Sequence, residues 1–145
     1  MLVPQYVSVE EVQRVCKELK IRDWTKLKQS KILPREAKTI LSKVNVSKMK
    51  IALEDFRAGL EVELEHGFTF TDANVTNNHP ILTGLIVIAH FKESLDYYKL
   101  LEVTELEGDL TKAVAAGNTE KIKKYYKKLA AARIVLAEAT LKRVR

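Results

Sequence analysis

Gly59-Leu60-Glu61-Val62-Glu63-Leu64-Glu65-His66-Gly67 is the stretch on which the reading of this chain turns. Placed at about 100° per residue, Leu60 and Leu64 line up with Met49, Leu53 and Phe56 upstream, which is the apolar stripe of an amphipathic helix. Glu63 lies at the edge of that stripe, with Gly59 and His66 just beyond it, while Glu61 and Glu65 point elsewhere. Gly67 is expected to close the helix as a left-handed cap.

Downstream, residues 68–80 form the one long irregular stretch. Its Thr, Asp and Asn residues favour side-chain-to-backbone bonds over regular structure. His79, pushed away from helical geometry by Pro80, reads as a solvated loop residue. From Ile81 the helical period resumes through Leu82, Ile86, Ala89, Glu93, Tyr97 and Leu100, with a kink around Ser94, and continues toward Leu110 and Val114.

Upstream, Ser8-Val9-Glu10-Glu11 has the form of a capping box, and Val12, Val15, Cys16 and Leu19 predict a helix over about residues 9–20. Trp24 is the expected core plug after it. Pro34 suits the first turn of a second helix ending near Val44, with Ile40, Leu41 and Val44 inward. Asn45-Val46-Ser47 separates it from the third. At the other end, Gly117-Asn118-Thr119-Glu120 stops one helix and caps the last. The apolar face of that last helix is Ile122, Tyr125, Tyr126, Leu129, Ala132, Leu136 and Ala139. No period-2 strand pattern competes with these helical ones. The expectation is an all-α fold: a single domain over 1–145 with five to six helices and one long loop at 68–80.

Composition agrees with an ordinary globular chain. Of 145 residues, 46% are hydrophobic and 30% charged, with five Gly and three Pro, which excludes a low-complexity or disordered class. No run approaches the roughly 18 apolar residues of a membrane span, and Met1-Leu2-Val3-Pro4-Gln5 lacks a signal-peptide pattern, so an intracellular protein is expected. The lone Cys16 sits among apolar neighbours and reads as a buried, inert thiol. The net charge of +6 conceals a layout: residues 1–50 carry twelve Lys/Arg against five Asp/Glu, residues 51–111 three against twelve, and residues 112–145 ten against two. Basic helices over 1–45 and 118–145 thus flank an acidic core over 50–116. Such asymmetry fits basic arms folded onto the acidic centre or an anionic partner.

Two constellations carry chemistry. Glu63 and His66 have the Glu-x-x-His spacing that puts two ligands on one helical face, and His90 with Glu93 mirrors it on the following helix. Glu63, His66, His90 and Glu93 are therefore candidate ligands for a divalent metal. The competing reading is a polar network, in which a buried Glu93, both histidines and a tyrosine hydroxyl satisfy one another without any cofactor. No nucleophile is paired to a base and no Gly-rich phosphate cradle occurs, so the sequence points away from an enzyme. The second constellation is Lys121, Lys123, Lys124, Lys127 and Lys128 on the last helix. They form a solvated face, a surface for an acidic protein partner, or a surface for nucleic acid.

The combination Gly59-Leu60-Glu61-Val62-Glu63-Leu64-Glu65-His66-Gly67, Asn74-Val75-Thr76-Asn77 with Pro80, Thr83-Gly84, Ala89-His90, Glu93 and Asp96-Tyr97-Tyr98 resembles a small uncharacterised helical family, a domain of unknown function found in bacteria, phages and large DNA viruses. The resemblance covers about residues 50–105 and implies neither an activity nor catalytic residues. His79 stands where that family is expected to carry an acidic residue. The functional expectation is a non-enzymatic structural or adaptor protein, a minor component of a virus particle, that meets protein partners through charged helical faces and needs no membrane.

Overall fold

Helix α1 spans Val9–Glu18 and starts where the sequence places it, the Glu11 amide donating to Ser8 Oγ at 3.2 Å. Only half of the capping box forms, because the Glu11 carboxylate turns to Arg14 instead. The computed structural model describes residues 7–144, so the leader reading at Met1–Gln5 lies outside the described residues. Lys20, with a φ of 55°, ends α1, the Ile21 amide donating to the Cys16 carbonyl in a Schellman arrangement. A 3-10 turn at Trp24–Lys26 follows, and Trp24 is fully buried as expected. Cys16 is buried as well; burial pushes its thiol pKa up and makes it a poor nucleophile.

Helix α2, Pro34–Val44, has proline in its first turn and buries Glu36, Ala37, Ile40 and Val44. Between α2 and the third helix, Asn45 clamps the chain: its Nδ2 donates to the Met49 carbonyl and its Oδ1 accepts from the Met49 amide, both at 2.9 Å. Met49 is thereby held outside α3, which spans Leu53–Thr69 and buries Phe56, Gly59, Leu60 and Leu64. Gly67 is not a left-handed cap. It lies inside α3, buried, and a Cβ there would stand 2.1 Å from Asn78 Oδ1 and 2.9 Å from Asn74 Nδ2. This glycine is the gap into which the loop's asparagines settle.

That loop contains a 3-10 turn, Thr71–Ala73, and then two successive left-handed residues, Asn77 and Asn78, with φ of 49° and 58°. Asparagine tolerates this conformation better than other side chains that carry a Cβ. They aim the chain into α4, Pro80–Glu93, whose buried face is Pro80, Thr83, Gly84, Val87, Ile88 and Phe91. Gly84 lets α4 lie directly on α2, since a Cβ would be 2.7 Å from Ile40 Cγ2 and 3.2 Å from Val44 Cγ1.

The kink expected near Ser94 is a full break. Ser94 Oγ accepts from the Asp96 amide and α5 begins at Tyr97, running to Ala115. Gly117, with φ of 62°, closes α5 in a second Schellman arrangement, and Asn118 Oδ1 caps α6, Thr119–Arg143, by accepting from the Lys121 amide. Helices α5 and α6 pack as an antiparallel hairpin. Ile122, Tyr125, Leu129, Ala132, Leu136 and Ala139 on α6 face Val103, Leu106, Leu110 and Ala113 on α5 in alternating steps of three and four, and all are buried or half-buried. This is the spacing of a coiled-coil seam. Arg133 Nη2 reaches Glu107 Oε1 at 2.7 Å, and Arg143 grips Asp96 with two bonds of 2.5 and 2.7 Å. The bond from Arg143 holds the Asp96 carboxyl below the ordinary range.

Among the described residues the fold is all-α, with six helices and no strand. Its contacts divide into two compact units, Met1–Lys92 and Glu93–Arg145. Among the described residues no helix is long and apolar enough to cross a membrane.

Candidate functional site

Three side chains of the first unit meet over α3 and α4. Glu63 is mostly buried and lies between the two histidines, its Oε1 3.5 Å from His90 Nε2 and its Oε2 3.9 Å from His66 Nδ1. One helical turn sets the Glu63–His66 contact and helix pairing the other. Glu93 is not the buried carboxylate that its stripe predicted. It is exposed at the last position of α4, as is Ala89 one turn earlier, because the core face of α4 follows Val87, Ile88 and Phe91. Among the described residues, no three His, Cys, Asp or Glu side chains are grouped so as to hold a metal ion. The four candidate ligands thus resolve into a Glu63-centred trio and a separate Glu93.

Beside the trio opens a cleft of about 350 Å³, lined by Glu63, His66, Phe70, Val75, Thr76 and Ile86 among others. Phe70 and Val75 are exposed on its rim, and the Phe70 ring lies 6.4 Å from that of His66. Asn74 shapes the wall, its Nδ2 donating to the Gly67 carbonyl and to Asn78 Oδ1. The cleft offers a carboxylate, one imidazole, that of His66, and apolar walls, with Thr76 the sole hydroxyl among the residues named; its Oγ1 donates to Asn74 Oδ1.

His79 departs most from its expected role. It is buried, and its Nδ1 accepts from the Ile81 and Leu82 amides at 3.2 and 3.3 Å, which makes it the N-cap of α4. Pro80 has no amide hydrogen, so these are the first two donors the helix presents. Its Nε2 points to Glu11 of α1 at 4.0 Å, and Asn77 Nδ2 donates to the Val7 carbonyl nearby. Burial lowers the His79 pKa from 6.5, with Arg14 adding to the effect and Glu11 partly opposing it. Below neutrality the unfolded chain therefore binds the proton more readily than the folded one. The stabilisation is fully present above about pH 6.5 and is lost as pH falls through the lowered folded value. The urea midpoint should accordingly drop between pH 7.5 and 5.5, and His79→Ala should flatten that drop while costing about 1 kcal/mol at pH 7.5. An unchanged pH profile in the variant would rule out the capping role.

On the second unit, Lys121, Lys123, Lys124, Lys127 and Lys128 are all exposed. Of the two tyrosines expected on the apolar face, Tyr125 takes the seam position and Tyr126 is 66% exposed. With Ala130, Ile134 (60%), Ala137 and Leu141 (51%), Tyr126 forms a second apolar stripe opposite the seam, on the same arc as Lys123 and Lys127. Sequence reading passed over this stripe because lysines and alanines dilute it.

Fold and site together define a small all-helical protein with a histidine–carboxylate cleft on one unit and a lysine-edged apolar face on the other. The chain belongs to the family described as protein of unknown function (DUF5661), whose model matches residues 12–107. That match begins in α1, well before the stretch that carried the resemblance, and ends within α5, so α6 lies outside it. No curated protein and no solved structure matches the chain.

Proposed function

We propose that the chain is a non-enzymatic adaptor, a minor structural component of a protein assembly such as a virus particle, and that α6 is its docking element. The observation that carries this reading is the outer face of α6. Of its twenty-five residues only Leu129 and Ala132 are fully buried, while Tyr126, Ile134, Val135 and Leu141 lie exposed beside the lysines. Large apolar side chains in contiguous exposed rows mark interaction surfaces. Basic residues around them steer an acidic partner and set its register.

A nucleic-acid partner would use the lysines alone and leave the apolar row unexplained. Reversing Lys121, Lys123, Lys124, Lys127 and Lys128 to Glu, followed by cross-linking and purification from the native source, tests the proposal. The wild-type chain should recover a stoichiometric protein partner or sediment with particles, and the reversed chain should lose it. Recovery of the wild-type chain only as free monomer would overturn the adaptor reading. Salt-steep binding to DNA or RNA would favour the nucleic-acid reading instead.

A further inference from the structure

Resting on that reading, we infer the class of partner: an acidic amphipathic helix of another protein, laid along the outer face of α6 as a third helix on the α5–α6 hairpin. The first support is spacing. Ala130, Ile134, Ala137 and Leu141 recur in steps of four, three and four, the same rhythm that the inner seam uses to hold α5. Only a helix matches that rhythm over about three turns, and the alternation of Ala with Ile or Leu leaves recesses into which a partner's knobs fit.

Charge is the second support, and it identifies the occupant. Helix α6 holds eight Lys/Arg against Glu120 and Glu138. Arg133 and Arg143 are engaged by Glu107 and Asp96, and Lys123 pairs with Glu120 at 3.9 Å; Lys123 and Lys127 share the arc of the apolar stripe, and Lys124 and Lys142 lie on its flank. Two α6 faces from two copies would set like charges against each other, whereas a helix with glutamates beside an apolar seam meets both features. Glutamates flanking the seam are the usual partners of lysines at such positions.

The test uses the full chain and a synthetic four-heptad peptide with Leu at both seam positions and Glu at the flanking ones, alongside the same peptide carrying Lys there. Fluorescence anisotropy should show binding of the acidic peptide, weakening at least tenfold between 50 and 500 mM salt, order-of-magnitude values set by ionic screening. The basic peptide should not bind. Ile134→Asp and Leu141→Asp, both at exposed positions, should each weaken binding about tenfold or more, as expected on losing an apolar anchor, with unchanged thermal melting. Equal binding of both peptides, or binding indifferent to Ile134→Asp, would overturn the inference. So would a concentration-dependent dimer of the chain that Ile134→Asp abolishes, since the occupant would then be a second copy. A native partner recovered equally by wild type and Ile134→Asp would defeat this inference and leave the adaptor reading standing; no native partner at all would defeat the reading itself.

Discussion

Glu36→Ala is expected to destabilise the first unit by about 3–5 kcal/mol, enough to unfold much of it at ordinary temperature. Glu36 is fully buried, yet its two oxygens collect four bonds: from the Arg22 amide at 3.0 Å, from Arg22 Nε and Nη2 at 2.9 and 2.7 Å, and from the Leu33 amide at 3.1 Å. The substitution takes the acceptor from the Arg22 and Leu33 amides and from Arg22 Nε, leaves Arg22 Nη2 only its bond to the Lys31 carbonyl, and opens a cavity at the start of α2. Burial pushes the Glu36 carboxyl pKa upward, but the Arg22 side chain and the two amides outweigh it and hold it below 4.5. Its contribution is therefore whole above about pH 4.5 and disappears as pH falls through the lower folded value. Urea titrations at pH 7 and pH 3.5 check both statements: the difference between wild type and Glu36→Ala should be large at the first and smaller at the second. Arg22→Met with Glu36→Leu should recover much of the loss, since an apolar pair carries no stranded charge. A Glu36→Ala protein as stable as wild type would remove this ion pair from the account.

Identical substitutions at two helical glycines are expected to act in opposite directions. At Gly84 the added methyl meets Ile40 and Val44, both buried, so Gly84→Ala should cost about 1–3 kcal/mol, less the fraction regained from helix propensity. Gly84→Leu should be worse. At Gly108, in the middle of α5, nothing lies within 4 Å of the added atom, and Gly108→Ala should stabilise by about 1 kcal/mol. Paired thermal melts of the two alanine variants decide the matter. A stabilising Gly84→Ala would mean that α4 does not rest on α2 at this point.

Much of the architecture was legible because it depends on short-range signals. Ser8, Pro34, Gly117 and Asn118 mark helix ends by local chemistry alone, and they do so at the expected positions. Readings that depended on distant neighbours fared differently. Gly67 looked like a terminator, but Asn74 and Asn78 determine its role by lying against it. Glu93 shared a line with Ala89, yet the buried face of α4 is turned away from that line by its contact with α2. A polar loop predicts a solvated His79; its burial against the start of α4 and beside Glu11 is a tertiary fact. Glu36 had a local signal that went unread, an acidic residue at the third helical position behind Leu33-Pro34. The trio of Glu63, His66 and His90 shows both cases: its first pair follows from helical spacing, while the second depends on how α4 lies on α3.

The tight connection between α5 and α6 has a kinetic consequence. Residues 116–118 alone separate the two helices, so the hairpin's seam closes over a short stretch of chain and pays little loop entropy. Such local topology forms in about microseconds. The first unit, by contrast, must join Glu36 to Arg22 and Glu61 to the Ile32 amide across 14 and 29 residues before its core is sealed. In a refolding experiment followed by amide exchange, α5 and α6 should gain protection first, and the order of assembly should run opposite to the order of synthesis.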